Sequence, residues 1–510
     1  MATRAVVTVA LAALLATPGA PSRAEEPLSA IDWLSQSVAT PPPPLPPDEP
    51  AVTANGLASD VTVTVLDASL PDAAGVLPAS ATGLPADLWG LGRTDEIVAL
   101  IAVDRSDALP ALKGLLLTLL LAELKAPADA GKGGDLLLAR VDRLLGMGAL
   151  DQAGALLQAA GTTNPTRFRR AFDVALLTGA EDRACVEMMA TPALAPTFPA
   201  RVFCLARSGD WNAAALALRT GVVLGYISPP DEALLSRFLD PELYEGEGTL
   251  EPPSPVTPLA WRMLEAIGET LPTGSLPLAF SHAELRETAG WKAQIEAAER
   301  LTRAGVLEPN LLLGLYTSRS PAASGGVWDR VAAFQAFEAA VASGDATQTW
   351  ATLPAVWSRM AEAELEVPFA QLFARPLAAL PGPRPALAFR ILLLSPDYEK
   401  AATLHSPETA AERFAVAVAR GDVTGVTPPD SLARAIAEAF AAPDTGTAMA
   451  TLVEGDRLGE AILTAIDRVR GGVQGDLRGV TEGLSLLRKV GLEDVARRTA
   501  LELLLLERRG

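Results

Sequence analysis

Histidine is nearly absent from the chain: two occur in 510 residues, His282 and His405, far apart along the sequence. Neither belongs to an H-E-x-x-H or H-x-x-x-H pair, so a histidine-based metal site is not expected. Each reads as an exposed helix-end or turn residue. No G-x-S-x-G elbow, G-x-x-x-x-G-K-[ST] loop or G-x-G-x-x-G turn occurs, nor the Glu-Ser and Gly-Leu-Met-Gln-like runs of lytic transglycosylases. No catalytic residue and no cofactor is therefore expected. Carboxylate pairs such as Glu362/Glu364 and Glu493/Asp494 read as solvated helix faces in a chain with 61 acids. Basic residues are few, 42 against those 61, and a formal charge of −19 argues against nucleic acid or an anionic membrane as partner. Charged residues make up only 20% and hydrophobic ones 49%, which excludes a disordered chain and points to packed helices. The apolar run at 109–121 carries Lys113 and is followed by Glu123. It reads as a buried helix, so no transmembrane segment is expected in the mature chain.

The N-terminus has the pattern of a cleaved secretory leader. Arg4 supplies a basic start, residues 5–16 are uncharged, and Ser22 and Ala24 are the small residues preceding cleavage before Glu25. A leader over 1–24 predicts export to an oxidising compartment, the periplasm. Residues 25–50 combine an amphipathic segment, with Leu28, Ile31, Leu34 and Val38 on one stripe and Trp33 beside it, and a tether with seven prolines between 41 and 50. Such a tether favours extended polyproline II. Two readings stand: a docking peptide held off the body, or a segment that fills a groove on it.

Residues 51–93 form the one stretch expected to be β or irregular. A strand is predicted at 61–66, followed by a Pro/Gly-rich loop at 77–91 containing Trp89. From Thr94, expected to cap a helix opening with Asp95 and Glu96, the chain reads as helical. The predicted divisions are helical repeats over 94–244, a linker at 245–258, a central helical region over 259–425 and a C-terminal helical region over 426–510. Weaker breaks fall at 380–385 and 426–429.

The repeats are the most informative feature. Gly148-Ala-Leu-Asp151-Gln-Ala153, Gly179-Ala-Glu-Asp182-Arg-Ala184 and Gly209-Asp-Trp-Asn212-Ala-Ala214 share one turn, their glycines 31 and 30 residues apart. The turn returns as Gly491-Leu-Glu-Asp494-Val-Ala496, with looser copies at Gly344-Asp345 and Gly455-Asp456. The pattern assigns Gly to a left-handed helix end, Asp or Asn to the next N-cap and Ala to a close helix crossing. This turn resembles the centre of the tetratricopeptide repeat, where a Gly-Asp-aromatic-Asp-Glu-Ala run joins antiparallel helices. The resemblance covers residues 135–225 and the C-terminal end. It implies a mainly α fold, an α-solenoid of stacked antiparallel helical hairpins, presenting a concave surface to another protein and carrying no catalysis.

Two local features are candidate sites. Around residues 318–330, the Gly325-Gly326 amides form a potential anion nest beside Arg319, Trp328 and Arg330, with Tyr316 preceding it. The competing reading is an ordinary loop whose Trp328 packs on the next helix. The second feature is the pair Cys185 and Cys204, the only cysteines. They lie on adjoining helices at equal distance from the Leu194–Ala195 midpoint, so antiparallel packing brings them to the same height. A disulfide is expected, against two reduced core cysteines.

Together these features predict a periplasmic helical scaffold or adaptor for envelope proteins, contacted through the N-terminal peptide and the face of residues 94–240. An enzyme or accessory acting on cell-wall polymer, with a cleft near 257–340, and a structural subunit of a large envelope machine are the alternatives.

Overall fold

The prolines, 41 in all, do not prevent a helical fold because many stand where a helix tolerates them. In the computed structural model, which describes residues 70–506, Pro110, Pro165, Pro229, Pro258 and Pro309 each open a helix. At that position the missing N–H has no helical acceptor to lose, and the ring presets φ. The leader, the stripe of Leu28, Ile31, Trp33 and Leu34, the tether and the strand expected at 61–66 lie outside the described residues. Among those described the chain is mostly helical and has no strand. One isolated parallel bridge, Leu77 to Ala122, is the β-type pairing present. None of the described helices is long and apolar enough to cross a membrane.

The repeat turns take the backbone form expected of them. Gly148, Gly179, Gly209, Gly344 and Gly491 all have φ between 72° and 85°, a region L side chains enter only with strain. At the looser copy the pattern shifts by one residue, and Asp456 takes φ 55°. The expected caps need correction. Asp151, Asp182, Asn212 and Asp494 lie inside the first helical turn. Side-chain capping occurs instead where Asp directly follows Gly. Asp210 accepts from Ala213 N at 3.0 Å and Asp345 from Thr347 N at 2.8 Å. The left-handed glycine reverses the chain within one residue, so its successor is already the N-cap, and an acid three residues on can only face the helix dipole. Thr94 is likewise the first helical residue, not the cap. Its N–H and hydroxyl both donate to Asp129, at 3.0 and 2.6 Å.

Three hairpins follow in order: Asp135–Gly146 with Leu150–Ala160, Pro165–Thr178 with Glu181–Ala190, and Phe198–Arg207 with Trp211–Val223. Each packs on the next. Ala153, Ala184 and Ala214 are buried between them, as close crossings require. One core, containing Phe168, Phe172, Met188, Phe203 and Leu235, serves the later hairpins, and a larger one joins the rest. Beyond the Pro-rich linker the helix Pro258–Ala266 turns back onto Pro165–Thr178. Arg262 also ties it to the start of Glu181–Ala190 by donating to Glu181 at 2.7 Å.

The described ends of the chain also meet. A stack in which each repeat touches only its sequence neighbours has no such contact. Here Thr94–Ala102 packs on Leu458–Val473, and Pro110–Leu121 on Glu493–Leu505. Trp89, expected in a loop, is only 2% exposed and lies over Gly459, where an added Cβ would fall 2.5 Å from its ring. Leu91 N donates to Asp456 O, and Gly459 N to Leu88 O, both at 2.9 Å. Arg105, fully buried, forks onto Asp467 at 2.8 and 2.7 Å. Glu502 accepts from Ala111 N.

The helix Pro165–Thr178 also buries a charged pair without saturating it. Asp173 Oδ2 and Arg169 Nε and Nη2 have no hydrogen-bond partner. Burial pushes the Asp173 carboxyl up to about 7 despite the attraction of Arg169 and Arg170. Burial also lowers the Arg169 pKa, without removing the guanidinium charge. With the folded pKa above the unfolded one, this group's contribution to stability is complete below pH 4 and is lost as pH rises through 7. Asp173→Asn is therefore expected to flatten the pH dependence between 4 and 7. It should exceed the natural protein in stability at pH 8 by up to about 4 kcal/mol. Urea unfolding at pH 4, 6 and 8 checks this, and an unchanged pH profile would refute it.

Candidate functional site

Cys185 and Cys204 are joined by a disulfide, with Cα atoms 5.1 Å apart. Both are buried. The bridge ties Glu181–Ala190 to Phe198–Arg207, successive helices of neighbouring hairpins. By the chain-entropy argument a loop of this size contributes roughly 3 kcal/mol.

The 318–330 cluster is not the surface site expected. Tyr316 is completely buried on its helix, and its hydroxyl donates to Glu299 Oε1 at 2.7 Å. Burial and the adjoining Glu299 carboxylate hold the phenol well above its ordinary pKa. Arg330 forks onto the same Glu299 at 2.8 and 2.6 Å. The half-buried Trp328 packs against Trp291, ring centroids 5.0 Å apart. Gly325 N donates to Asp329 at 2.8 Å, so the chain's own carboxylate occupies the expected anion nest. Of the predicted contact residues here, Arg319 alone is exposed. Tyr316 and Arg330 join three helices, Trp291–Arg303, Pro309–Thr317 and Val327–Ala342, through Glu299, which sequence spacing does not bring to them.

Neither histidine is an exposed end residue. His282 is buried, and its Nε2 lies 2.6 Å from Gly148 O, tying the first repeat turn to the central region. Burial depresses its pKa, so the neutral ring is favoured. His405 stacks on Phe389 with centroids 4.4 Å apart, and its side chain is 15% exposed. Among the described residues no group of three metal-binding side chains comes together.

Tertiary folding creates a central cleft of about 770 Å³ that no local pattern announces. It is walled by Pro110–Leu121, the turn after Trp291–Arg303, the start of Glu366–Ala379, the end of Ala386–Leu393 and the helix Glu493–Leu505. Its floor mixes Leu115, Val367 and Val495 with Arg303, Glu364 and Arg498. Two of its carboxylates serve the framework. Glu502 receives Ala111 N, and Asp494 receives the Tyr398 hydroxyl at 3.0 Å. Thr302 is buried at its edge with a hydroxyl that has no partner. Glu364, expected on a solvated face, lines the cleft from a left-handed turn with φ 56°, where the other hairpins use glycine. That conformation costs a non-glycine residue about 1–2 kcal/mol. Glu493, also expected to be merely solvated, accepts from both Arg488 and Arg497 at 2.8 Å.

A second surface feature lies on the repeats. On Trp211–Val223, Leu216 is 68% exposed and Val223 is 85% exposed. Seven residues apart, they share one helix face. Leu224 and Trp211 flank them, also exposed.

Comparison with protein-family models, with curated proteins and with solved structures finds no match to this chain.

Proposed function

We propose that the protein is an exported, periplasmic helical scaffold that holds a partner protein of the cell envelope. Its solenoid-like part would be residues 135–223, in line with the tetratricopeptide-like turns. The reading is carried by the exposed apolar side chains of Leu216 and Val223, which bracket the exposed Arg219 and Thr220 on one face of Trp211–Val223, on a hairpin whose other helix is bridged by the disulfide to the preceding one. Large apolar side chains lined up on one helix face and left in water favour association with another apolar surface. The disulfide suits an oxidising compartment and would fix the shape of this surface. The leader at 1–24 supplies the expected route of export.

A photo-crosslinking residue placed at Leu216 in cells that produce the protein tests the reading. The expected result is a discrete protein adduct that Val223→Asp abolishes. As a surface change, Val223→Asp should alter stability by about 0.5 kcal/mol or less. Absence of an adduct, or an adduct indifferent to Val223→Asp, would overturn the assignment.

A further inference from the structure

The chain is strongly acidic, yet a chamber of about 360 Å³ beside the central cleft gathers five basic side chains in its wall. Arg105, Lys113, Arg143, Arg300 and Arg303 line it, with Glu364 the one carboxylate. These cations come from four separate parts of the sequence and meet only in the folded protein. Arg303 and Glu364 line both spaces, so chamber and cleft are neighbours at these two residues.

The cations differ in how far the protein neutralises them. Arg105 is matched by Asp467. Arg143, only 4% exposed, reaches Asp104 through Nη2 at 2.8 Å, while its buried Nε has no partner. Arg300 donates only to neutral oxygens: Thr273 O at 2.9 Å, Thr273 Oγ1 at 3.2 Å and Leu276 O at 3.3 Å. Glu284 attracts Arg300 without being in ion-pair contact, and accepts from Thr273 N instead. Arg303 makes no hydrogen bond or ion pair with any described residue. Burial lowers the Arg300 pKa, and the nearby positive charge of Arg303 lowers it further. Among the described residues, then, two guanidinium charges line one recess without a carboxylate in ion-pair contact with either, although Glu364 shares the wall. Guanidinium groups are suited to oxyanions because their N–H donors lie in a planar fork. A dianion matches the two charges better than a single carboxylate does.

We infer that this chamber binds a phosphate or phosphomonoester group between Arg143, Arg300 and Arg303, with any attached organic body directed into the central cleft. Neither the scaffold surface nor the disulfide enters this assignment, which stands or falls separately.

Isothermal titration of the purified protein with inorganic phosphate and with glycerol phosphate, at constant ionic strength and with sodium chloride as control, tests it. Saturable one-site binding is expected for at least one of the two. Arg303→Gln should weaken it at least tenfold while leaving the ligand-free melting temperature nearly unchanged, because Arg303 has no internal partner to lose. Inorganic phosphate binding as tightly as the ester would assign the chamber to free phosphate. Tighter binding of the ester, reduced by Leu372→Trp in the cleft while inorganic phosphate is unaffected, would assign it to a phosphorylated organic ligand. Absence of saturable binding by either probe, or affinities unchanged by Arg303→Gln, would overturn the proposal.

Discussion

Arg140→Met is expected to destabilise the protein by about 3–5 kcal/mol, because several buried carbonyls lose a charged donor together. Arg140 has no exposed surface. Its guanidinium donates to Leu120 O and Ala122 O, both at 2.8 Å, and to Ala74 O at 2.7 Å. These contacts fasten residues 72–77 to the end of Pro110–Leu121 and to its own helix, Asp135–Gly146. Burial lowers the Arg140 pKa to about 10, which leaves it charged at neutral pH. Methionine fills much of the volume but leaves the carbonyls without donors, each such loss costing about 1–3 kcal/mol. Lysine should rescue little, because one ammonium cannot reproduce a planar fork serving several carbonyls. Urea unfolding of both variants decides this, and a loss below 1 kcal/mol for Arg140→Met would refute the clamp.

The second large effect concerns the seam where the described ends meet. Arg105→Met is expected to cost about 3–5 kcal/mol, because it removes a fully buried, forked guanidinium and leaves the partly buried Asp467 carboxylate without its partner. Asp467→Leu alone strands a fully buried guanidinium and should cost a similar amount. The double variant removes both charges and should recover part of the loss. Recovery stays incomplete because the Arg105 hydrogen bonds to Leu100 O at 2.8 Å and Val103 O at 3.2 Å are also lost. A double-mutant cycle should give a coupling of about 1–3 kcal/mol. Additive single effects would show that the two residues do not pair in solution, and with that the seam would lose its central polar contact.

Several features were legible because they are local. Gly148, Gly179 and Gly209 announce left-handed turns, since a reversal of that kind strongly favours the residue without a Cβ. The disulfide was legible because equal distance from a turn midpoint brings Cys185 and Cys204 to the same height in an antiparallel pair. Helical class followed from composition and spacing. The caps were misplaced by two residues because their position depends on how quickly the chain leaves the left-handed turn.

What the sequence by itself determined, then, was the helical character of the described chain, its turns and its one covalent crosslink, all properties of residues near in sequence or related by a simple hairpin. Tertiary structure decided burial and the geometry of the clefts. It buried Tyr316, turned Arg330 onto Glu299 and let Asp329 fill the anticipated nest. It joined Arg105 to Asp467 across most of the chain, and it gathered Arg143, Arg300 and Arg303 around one recess. The physical reason is that a side chain's exposure and charge balance depend on which distant helix covers it. Helix periodicity gives the direction of a side chain from its own axis, but the covering helix is chosen by the packing of the whole core.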